Sequence, residues 1–268
     1  MRSRPATRVL PTLAAALLTL GVSACGDSAP AQEPTASPSV SAPAPDQDAR
    51  VALAARAALA EDHRFSAMYT LQTPGFAPRS VLATVAVDGS WRVDIPSGAL
   101  GGTADVSIAQ LPSGLFQCAI PSATNPVSPS CVRVADAGKK VPREFDPKVQ
   151  RVFRQWLPVF TDRQSALSVT AAQPLQGSTG RCFSVDTISA SLSAPVDVGI
   201  YCYADDGLLT AARVKFGTLT IAGAPAAAPP TIDLPGPVTG GEPMGQDAPP
   251  PPPVVEQPVV PSQPVPSA

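Results

Sequence analysis

The sequence is poor in the residues from which most metal sites and charged interfaces are built. Among 268 residues there is a single histidine, aromatic residues make up 5% and charged residues 15%. One histidine excludes a metal site that needs several imidazoles. The 19 basic residues in a chain with a net charge of -2 argue against nucleic-acid binding through a basic face. We therefore expect no metal, no cofactor and no nucleic-acid partner.

The motifs of common catalytic and nucleotide-binding sites are also missing. The sequence has no GxSxG, no glycine-rich phosphate loop and no HExxH. His63 follows Glu61-Asp62 at a predicted helix end, where the helix dipole stabilises a cation, so a structural role explains it. The acidic pairs Glu61-Asp62 and Asp205-Asp206 lie at a helix end and a turn, which favours solvated surface charge over acid–base catalysis. The sequence therefore predicts a protein that is not an enzyme.

No apolar run reaches the roughly 20 residues that a membrane-spanning helix needs. Residues 1–24 instead read as a signal peptide, because arginines in the first eight residues precede an apolar run over 9–22. The sequence VSAC, ending at Cys25, resembles a bacterial lipobox, which implies a diacylglycerol on this cysteine. The other interpretation is an ordinary signal cleaved after Ala24. Two acyl chains anchor a protein stably, so we expect a membrane anchor on the outer face of the bacterial cytoplasmic membrane.

Proline is abundant, with 34 residues, and it is concentrated in two segments. Residues 25–47 have almost no large aliphatic side chains to offset chain entropy by burial, and read as a disordered tether. Residues 224–268 contain 15 prolines, which predicts a disordered or polyproline II tail. The tail is either a spacer or arm that engages the cell wall or a protein partner, or tolerated low-complexity sequence. Residues 48–223 are predicted to form one domain.

Two helices are predicted within the domain. Residues 48–62 are rich in alanine, the best helix former, and carry an apolar stripe. The stripe consists of Val51, Ala55, Ala58 and Leu59. A second, amphipathic helix begins at Asp146, which caps it, and runs to residue 160. Pro158 is expected to kink or end this helix near Trp156.

Strand patterns precede and follow the second helix. The sequences DGS at 88–90 and DDG at 205–207 each separate two alternating segments, which predicts hairpins. The last strand, over 208–221, changes its apolar face at Gly217, which predicts a bulge or bend. Helices between sets of antiparallel strands form an α+β pattern, with a curved sheet and helices on one face.

Four cysteines lie beyond Cys25, an even number that argues for disulfides in an exported domain. Three connectivities are possible, and the sequential one is favoured. It joins Cys118 to Cys131, which flank one loop, and Cys182 to Cys202, which lie on strands adjacent in sequence. Each closure adds about 3 kcal/mol in the chain-entropy treatment. The lack of CxxC spacing argues against a metal or redox site.

A resemblance to a known family rests on these elements together with three segments. They are CFSV at 182–185, GIYCYADDG at 199–207 and LTAARVKFGTLTI at 209–221. With the lipobox, they resemble the LolA-type half-barrel lipoproteins of GC-rich Gram-positive bacteria, including the mycobacterial LppX/LprG group. The resemblance covers residues 48–223. It implies an unclosed antiparallel barrel wrapped around helices on its concave face, with an apolar cavity that carries a lipid or lipoglycan.

Side chains from both strands and the second helix are candidates to line that cavity. They are Trp91, Val93, Phe116, Phe183, Val185, Val214 and Phe216 from strands, and Phe153, Trp156, Leu157 and Phe160 from the helix. The same side chains also suit an ordinary core. We therefore expect a non-enzymatic envelope lipoprotein that binds or carries a lipid or other hydrophobic molecule. The alternative is a structural or interaction lipoprotein with a filled core that engages cell-wall polymer or a partner protein.

Overall fold

The computed structural model describes residues 45–122, 125–188 and 194–248, with side chains from residue 48 onward. The helices are α1 (Pro45–Asp62) and α2 (Leu157–Thr161), and 3-10 turns cover Leu100–Gly102, Arg143–Phe145 and Val149–Val152. The first six strands are β1 (Phe65–Gln72), β2 (Arg79–Val85), β3 (Trp91–Ala99), β4 (Ala104–Leu111), β5 (Gly114–Ile120) and β6 (Ser130–Ala135). The others are β7 (Leu167–Ala172), β8 (Arg181–Thr187), β9 (Gly199–Tyr203), β10 (Leu209–Val214), β11 (Gly217–Ile221) and β12 (Val238–Thr239).

Within these described ranges, twelve strands form one sheet in the order β12-β6-β5-β4-β3-β2-β1-β11-β10-β9-β8-β7. Neighbours pair antiparallel, apart from the short parallel pair of β12 with β6. At the middle of the sheet β1 pairs with β11, where Tyr69 is the partner of Ile221 and Leu71 is the partner of Leu219. The edge strands β12 and β7 are not paired with each other in the described part of the chain. The sheet is therefore open, and the expected α+β fold with an unclosed, curved sheet is confirmed.

The hydrophobic core lies on the concave face, between the sheet and the helices. Alternate residues of the strands point to this face, as in β1, where Tyr69 and Leu71 are buried while Met68 is 45% exposed. Side chains of α1, α2 and the 3-10 turn at Val149–Val152 belong to the same packed cluster. The strands and helices are thus held together by one continuous apolar interior.

Helix α1 buries a different face from the one predicted. Its buried residues are Ala49, Leu53, Ala57 and Ala60. Of the predicted stripe, Val51 is 59% exposed, Leu59 is 45% exposed, and Ala55 and Ala58 are exposed as well. The prediction is wrong because this alanine-rich helix is apolar on nearly every side, so its periodicity does not distinguish the face that meets the sheet. The predicted stripe forms an uncovered apolar flank.

The single helix predicted from residue 146 to 160 is also wrong. The carboxylate of Asp146 accepts hydrogen bonds from the backbone N–H of Lys148 at 2.8 Å and from Nε of Arg151 at 2.8 Å. Lys148 has φ of 68°, a left-handed conformation that interrupts a regular helix. A 3-10 turn follows, and Pro158 lies in the first turn of α2, where its missing N–H costs nothing.

The hairpin predictions are confirmed at both turns. The single last strand predicted over 208–221 is wrong, because the structure has two strands there. Pairing of Val85 with Trp91 and of Tyr203 with Leu209 places DGS and DDG in the turns. The segment 208–221 is a hairpin, because β10 and β11 pair through a two-residue turn. The change of apolar face at Gly217 is therefore the end of that turn, and the predicted bend or bulge is wrong.

Residues 224–248, predicted as part of a disordered tail, instead form an extended strap around the sheet. Ile232 is 7% exposed, and Leu234 packs on Phe116 and the adjacent disulfide on the outer face. β12 then runs beside β6, and Met244 packs against the main core on the concave face. The strap therefore crosses the outer face, passes the β6 edge and returns inside. Residues 249–268 lie outside the described residues.

Backbone hydrogen bonds explain why this proline-rich segment is ordered. The N–H of Val87 donates to the carbonyl oxygen of Pro229 at 2.9 Å, and the N–H of Cys131 donates to that of Pro237 at 2.8 Å. Proline lacks a donor but keeps its acceptor, so it can bind along strand ends and edges. Composition alone therefore overstated the disorder of the segment.

Both disulfides join neighbouring strands. Cys118–Cys131 links β5 to β6, and Cys182–Cys202 links β8 to β9, with 4.0 Å between the Cα atoms of each pair. This is the sequential connectivity that the sequence favoured. Each disulfide belongs to a small outer cluster separate from the main core. Each half of the sheet therefore carries one covalent link.

Candidate functional site

The side chains predicted to line a cavity pack against each other as core. Nine of them belong to the main cluster: Trp91, Val93, Phe153, Trp156, Leu157, Phe160, Phe183, Val185 and Val214. Phe116 lies in an outer cluster with the Cys118–Cys131 disulfide, so the structure does not bring it to the same place. Phe216 is half-buried beside a pocket of about 100 Å³. These side chains therefore pack against one another as core, and the pocket beside Phe216 is small, where the resemblance implied a cavity that carries a ligand.

Three tyrosines that the sequence analysis did not single out lie at the centre of this core. Tyr69, Tyr201 and Tyr203 are the only tyrosines in the chain, and each is 0% exposed. The Tyr201 ring lies 5.0 Å from Phe160 and 5.9 Å from Trp156, between centroids. Burial raises the pKa of all three phenols far above its ordinary value. Two signals were available in the sequence. Tyr69 lies two residues from Ala67 and Leu71, on the apolar face of β1, and Tyr201 and Tyr203 are two residues apart on β9 and so share one face.

An open groove with a volume of about 890 Å³ lies between α1 and the edge strand β7. The α1 side is formed by Val51, Ala54, Ala55 and Ala58, and the other side by Leu167, Ser168, Val169 and Ile188. Val51 is 59% exposed and Ile188 is 71% exposed. The uncovered flank of α1 is thus one wall of this groove, which we call the α1–β7 groove.

One end of the α1–β7 groove is polar. Arg50 of α1 donates to the carbonyl oxygens of Asp162 at 2.7 Å and of Leu167 at 3.2 Å, which fixes the turn before β7 against the helix. Burial lowers the pKa of Arg50, and the nearby Asp162 carboxylate opposes this effect. Exposed Arg163 and half-buried Thr161 lie at the same end. The groove therefore combines an apolar length with a cationic end.

His63 and the acidic residues of the DDG turn lie at the C-terminal end of α1. His63 Nδ1 is 3.1 Å from the backbone oxygen of Asp206. Arg56 donates to the backbone oxygen and to the carboxylate of Asp205, both at 2.5 Å. These contacts fix α1 to the β9–β10 turn. At Gly207 in that turn, φ is 88° and a Cβ would overlap the backbone of α1.

The described ranges contain neither a cluster of metal ligands nor a membrane-spanning helix. There, no three His, Cys, Asp or Glu side chains are grouped closely enough to hold a metal ion. The helices of that same part of the chain are too short or too polar to cross a membrane. Cys25, the predicted lipid attachment site, lies outside the described residues.

Comparisons with known proteins give few matches. Neither a family model nor a curated protein matches this chain. Among solved structures, the chain is similar to the crystal structure of MucB, with 15% sequence identity and a TM-score of 0.38. The match covers 68% of this chain and 60% of that chain, so it spans less than two thirds of MucB. The structure itself defines an α+β protein with an open sheet and an apolar groove at one edge.

Proposed function

We propose that the protein is a lipid-anchored protein on the outer face of a bacterial cytoplasmic membrane that binds a lipid or similar elongated apolar molecule without converting it. The observation that carries this proposal is the α1–β7 groove. Because the side chains expected to line a cavity pack together as core, we assign the ligand to this open groove instead. The lipobox-like sequence ending at Cys25 supports the anchor.

The size and lining of the groove suit an amphiphile. Its volume of about 890 Å³ lies within the range of about 300–1,000 Å³ that ligand pockets usually have. Val51 and Ile188 expose large aliphatic side chains on its two sides, and covering such a side chain stabilises a complex by about 1.5–3 kcal/mol. Exposed Arg163 at the polar end suits a carboxylate or phosphate head group.

The position of the groove in the chain also favours a membrane lipid. The groove begins at Arg50, on the first turns of α1, and this helix starts at Pro45, within the last residues of the segment 25–47 that was predicted as a tether. An extended chain spans at most about 3.6 Å per residue, so this tether keeps the domain within about 80 Å of its anchor. A lipid leaving the bilayer would meet the groove at this short distance.

The alternative is an interaction module, which needs no internal cavity. In that case a partner protein or a cell-wall polymer binds to the surface of the domain. The two candidates differ in the chemistry of the ligand. An acyl chain needs the apolar walls and the cationic end, whereas a polysaccharide needs neither Val51 nor Ile188.

A binding experiment tests the lipid proposal. We expect the purified mature protein to bind a dansyl-labelled fatty acid, with fluorescence enhancement as the readout. Val51→Asp and Ile188→Asp introduce charge on opposite walls at exposed positions, so they should weaken binding at least tenfold, about 1.4 kcal/mol, without unfolding. Val87→Asp is the matched control, because Val87 is 64% exposed on the β2–β3 turn, away from the groove. Equal binding by all four proteins would refute the groove as the site.

The anchor has its own test. We expect the full chain to partition with membranes and to incorporate labelled palmitate, and Cys25→Ala to lose the label. A wild-type chain that carries no label would contradict lipidation and leave the groove experiment unaffected.

A further inference from the structure

The last residues of the strap occupy a distinct site at the mouth of the concave face. This strap site is formed by Gln117 of β5, by residues 98–101 and by Glu144. Met244 to Gln246 lie across it, and the Met244 side chain packs against the main core. The strap site lies apart from the α1–β7 groove, because β5 and β7 belong to opposite halves of the sheet.

Gln117 contacts the strap through both the nitrogen and the oxygen of its side-chain amide. Its Nε2 donates to the carbonyl oxygen of Met244 at 2.9 Å, and its Oε1 accepts from the backbone N–H of Met244 at 2.6 Å. Nε2 also donates to the carbonyl oxygen of Phe145 at 3.2 Å. Gln117 is only 2% exposed. Removing the strap would leave a buried amide without two of its partners, and an unsatisfied buried polar group is destabilising.

Other contacts at the strap site also recognise the backbone. The N–H groups of Leu100 and Gly101 donate to the carbonyl oxygens of Gly245 and Gln246, both at 2.9 Å. The N–H of Gln246 donates to the carbonyl oxygen of Glu144 at 2.9 Å. The side-chain amide of Gln246 adds a bond to the carbonyl oxygen of Gly98 at 3.0 Å. The site therefore binds the backbone of three successive residues and contacts the side chains of Met244 and Gln246.

Two residues in and next to the strap site have a strained backbone conformation. Leu100 has φ of 51° and Ser97 has φ of 53°, both in the left-handed region that non-glycine residues rarely adopt. Residues held in this region are strained, and they are common where a protein clamps a ligand. Gly101, with φ of 66°, has no room for a Cβ, which would lie 2.7 Å from that of Ala248. The strained segment aims two successive N–H groups at the strap.

The preceding part of the strap has little burial to retain it. Residues 237–242 are exposed, and β12 is a two-residue strand with both residues exposed. Segments with few buried apolar contacts open locally at a free energy well below that of global unfolding. The strap beyond Ile232 can therefore leave its site while the sheet stays folded.

From these contacts we infer that the strap site is a peptide-binding site, occupied within the chain by residues 244–246 and able to exchange them for a partner's peptide. The partner presents a peptide segment with a long apolar residue at the Met244 position and a side-chain amide two residues later. Position 245 admits other residues, because a Cβ there would meet its nearest neighbour at 4.0 Å. The strap then acts as an intramolecular competitor, whose effective concentration weakens binding of the external peptide.

The experiment cuts the strap in the folded protein. A protease recognition sequence is inserted between Gly240 and Gly241, which are exposed, and the whole protein is folded before cleavage. A fluorescent peptide of residues 241–248 is then added, and anisotropy reports its capture. We expect the cleaved protein to bind the peptide at least tenfold more tightly than the uncleaved protein.

Variants separate specific capture from nonspecific sticking. Gln117→Leu in the cleaved protein, and N-methylation of Met244 in the peptide, should each weaken capture at least tenfold, because each removes the bond between Gln117 Oε1 and that N–H. A Glu242→Ala peptide is the control and should bind unchanged, since Glu242 is exposed. Three outcomes would each overturn the inference. They are loss of folded structure on cleavage, failure of the added peptide to exchange with the strap, and equal binding of the peptide by the wild type and by Gln117→Leu.

Discussion

The hydroxyl of Tyr69 donates a hydrogen bond of 2.9 Å to the carbonyl oxygen of Leu209, inside the core. Tyr69 lies on β1 and Leu209 on β10, two strands separated in the sheet by β11. The bond therefore joins the two halves of the sheet across their central pair. It satisfies a phenol that has no access to water.

Replacing Tyr69 with phenylalanine should destabilise the protein by about 1–3 kcal/mol, because the buried carbonyl of Leu209 loses its partner. Tyr203→Phe is the matched control. In the described part of the chain the Tyr203 hydroxyl has no hydrogen-bond partner, although Tyr203 is 0% exposed. Its removal should leave stability unchanged or raise it. Chemical denaturation of both variants measures the difference, and equal losses would contradict this role of the Tyr69 bond.

Stability should fall as the pH rises above about 10, the ordinary pKa of tyrosine. Burial raises the pKa of Tyr69, Tyr201 and Tyr203, so the folded state keeps protons that the unfolded state releases. The stabilisation is complete below pH 10 and decreases above it, by about 1.4 kcal/mol per pH unit for each tyrosine. Ultraviolet titration should show tyrosinate only on unfolding. Tyrosinate absorbance that rises near pH 10 in the folded protein would show that the phenols are accessible.

Two substitutions to alanine test which face of α1 packs against the sheet, one on the buried face and one on the exposed face. Leu53→Ala should cost about 2–5 kcal/mol, because Leu53 is 0% exposed and its removal leaves a cavity. Val51→Ala should change stability by less than about 0.5 kcal/mol, because Val51 is 59% exposed. Thermal unfolding of the two variants compares them. If Val51→Ala destabilised the protein more than Leu53→Ala, the helix would pack through the apolar stripe that the sequence predicted.

Removing the Cys182–Cys202 disulfide by substituting both cysteines with alanine should destabilise the protein by about 2–4 kcal/mol. The two residues are 20 positions apart, and opening this loop increases the entropy of the unfolded chain. Denaturation under non-reducing conditions provides the measurement. If the double variant is as stable as the wild type, the link contributes nothing beyond the strand pairing.

The sequence predicted those parts of the fold that depend on local side-chain chemistry. The DGS and DDG turns placed two hairpins, because Gly89 and Gly207 supply the positive φ that these turns need. Phe153, Trp156, Leu157 and Phe160, which the sequence indicated as cavity-lining or core side chains, are buried, although not on one helix. The fold class followed from this order of elements.

The parts that sequence patterns missed depend on the backbone or on tertiary packing. The face of α1 was ambiguous because alanine occurs all around it. The helix at 146 was interrupted by the side chain of Asp146, which binds locally. The strap is attached largely through its carbonyl and N–H groups, which every residue carries, so no side-chain pattern marked it. The α1–β7 groove was missed because its wall had been assigned to the core.

The pairing of β1 with β11 has a consequence for the order of folding. These strands lie side by side at the middle of the sheet, although Tyr69 and its partner Ile221 are far apart in sequence. Closing so long a loop is slow, because its entropy is lost before the contact is gained. In a chain that emerges amino-terminus first, β1 through β6 can pair early as a meander. The centre of the sheet is completed only after β11 has emerged, and β12 joins the edge at β6 later still. Until β11 pairs with it, β1 is an exposed edge strand of the unfinished sheet.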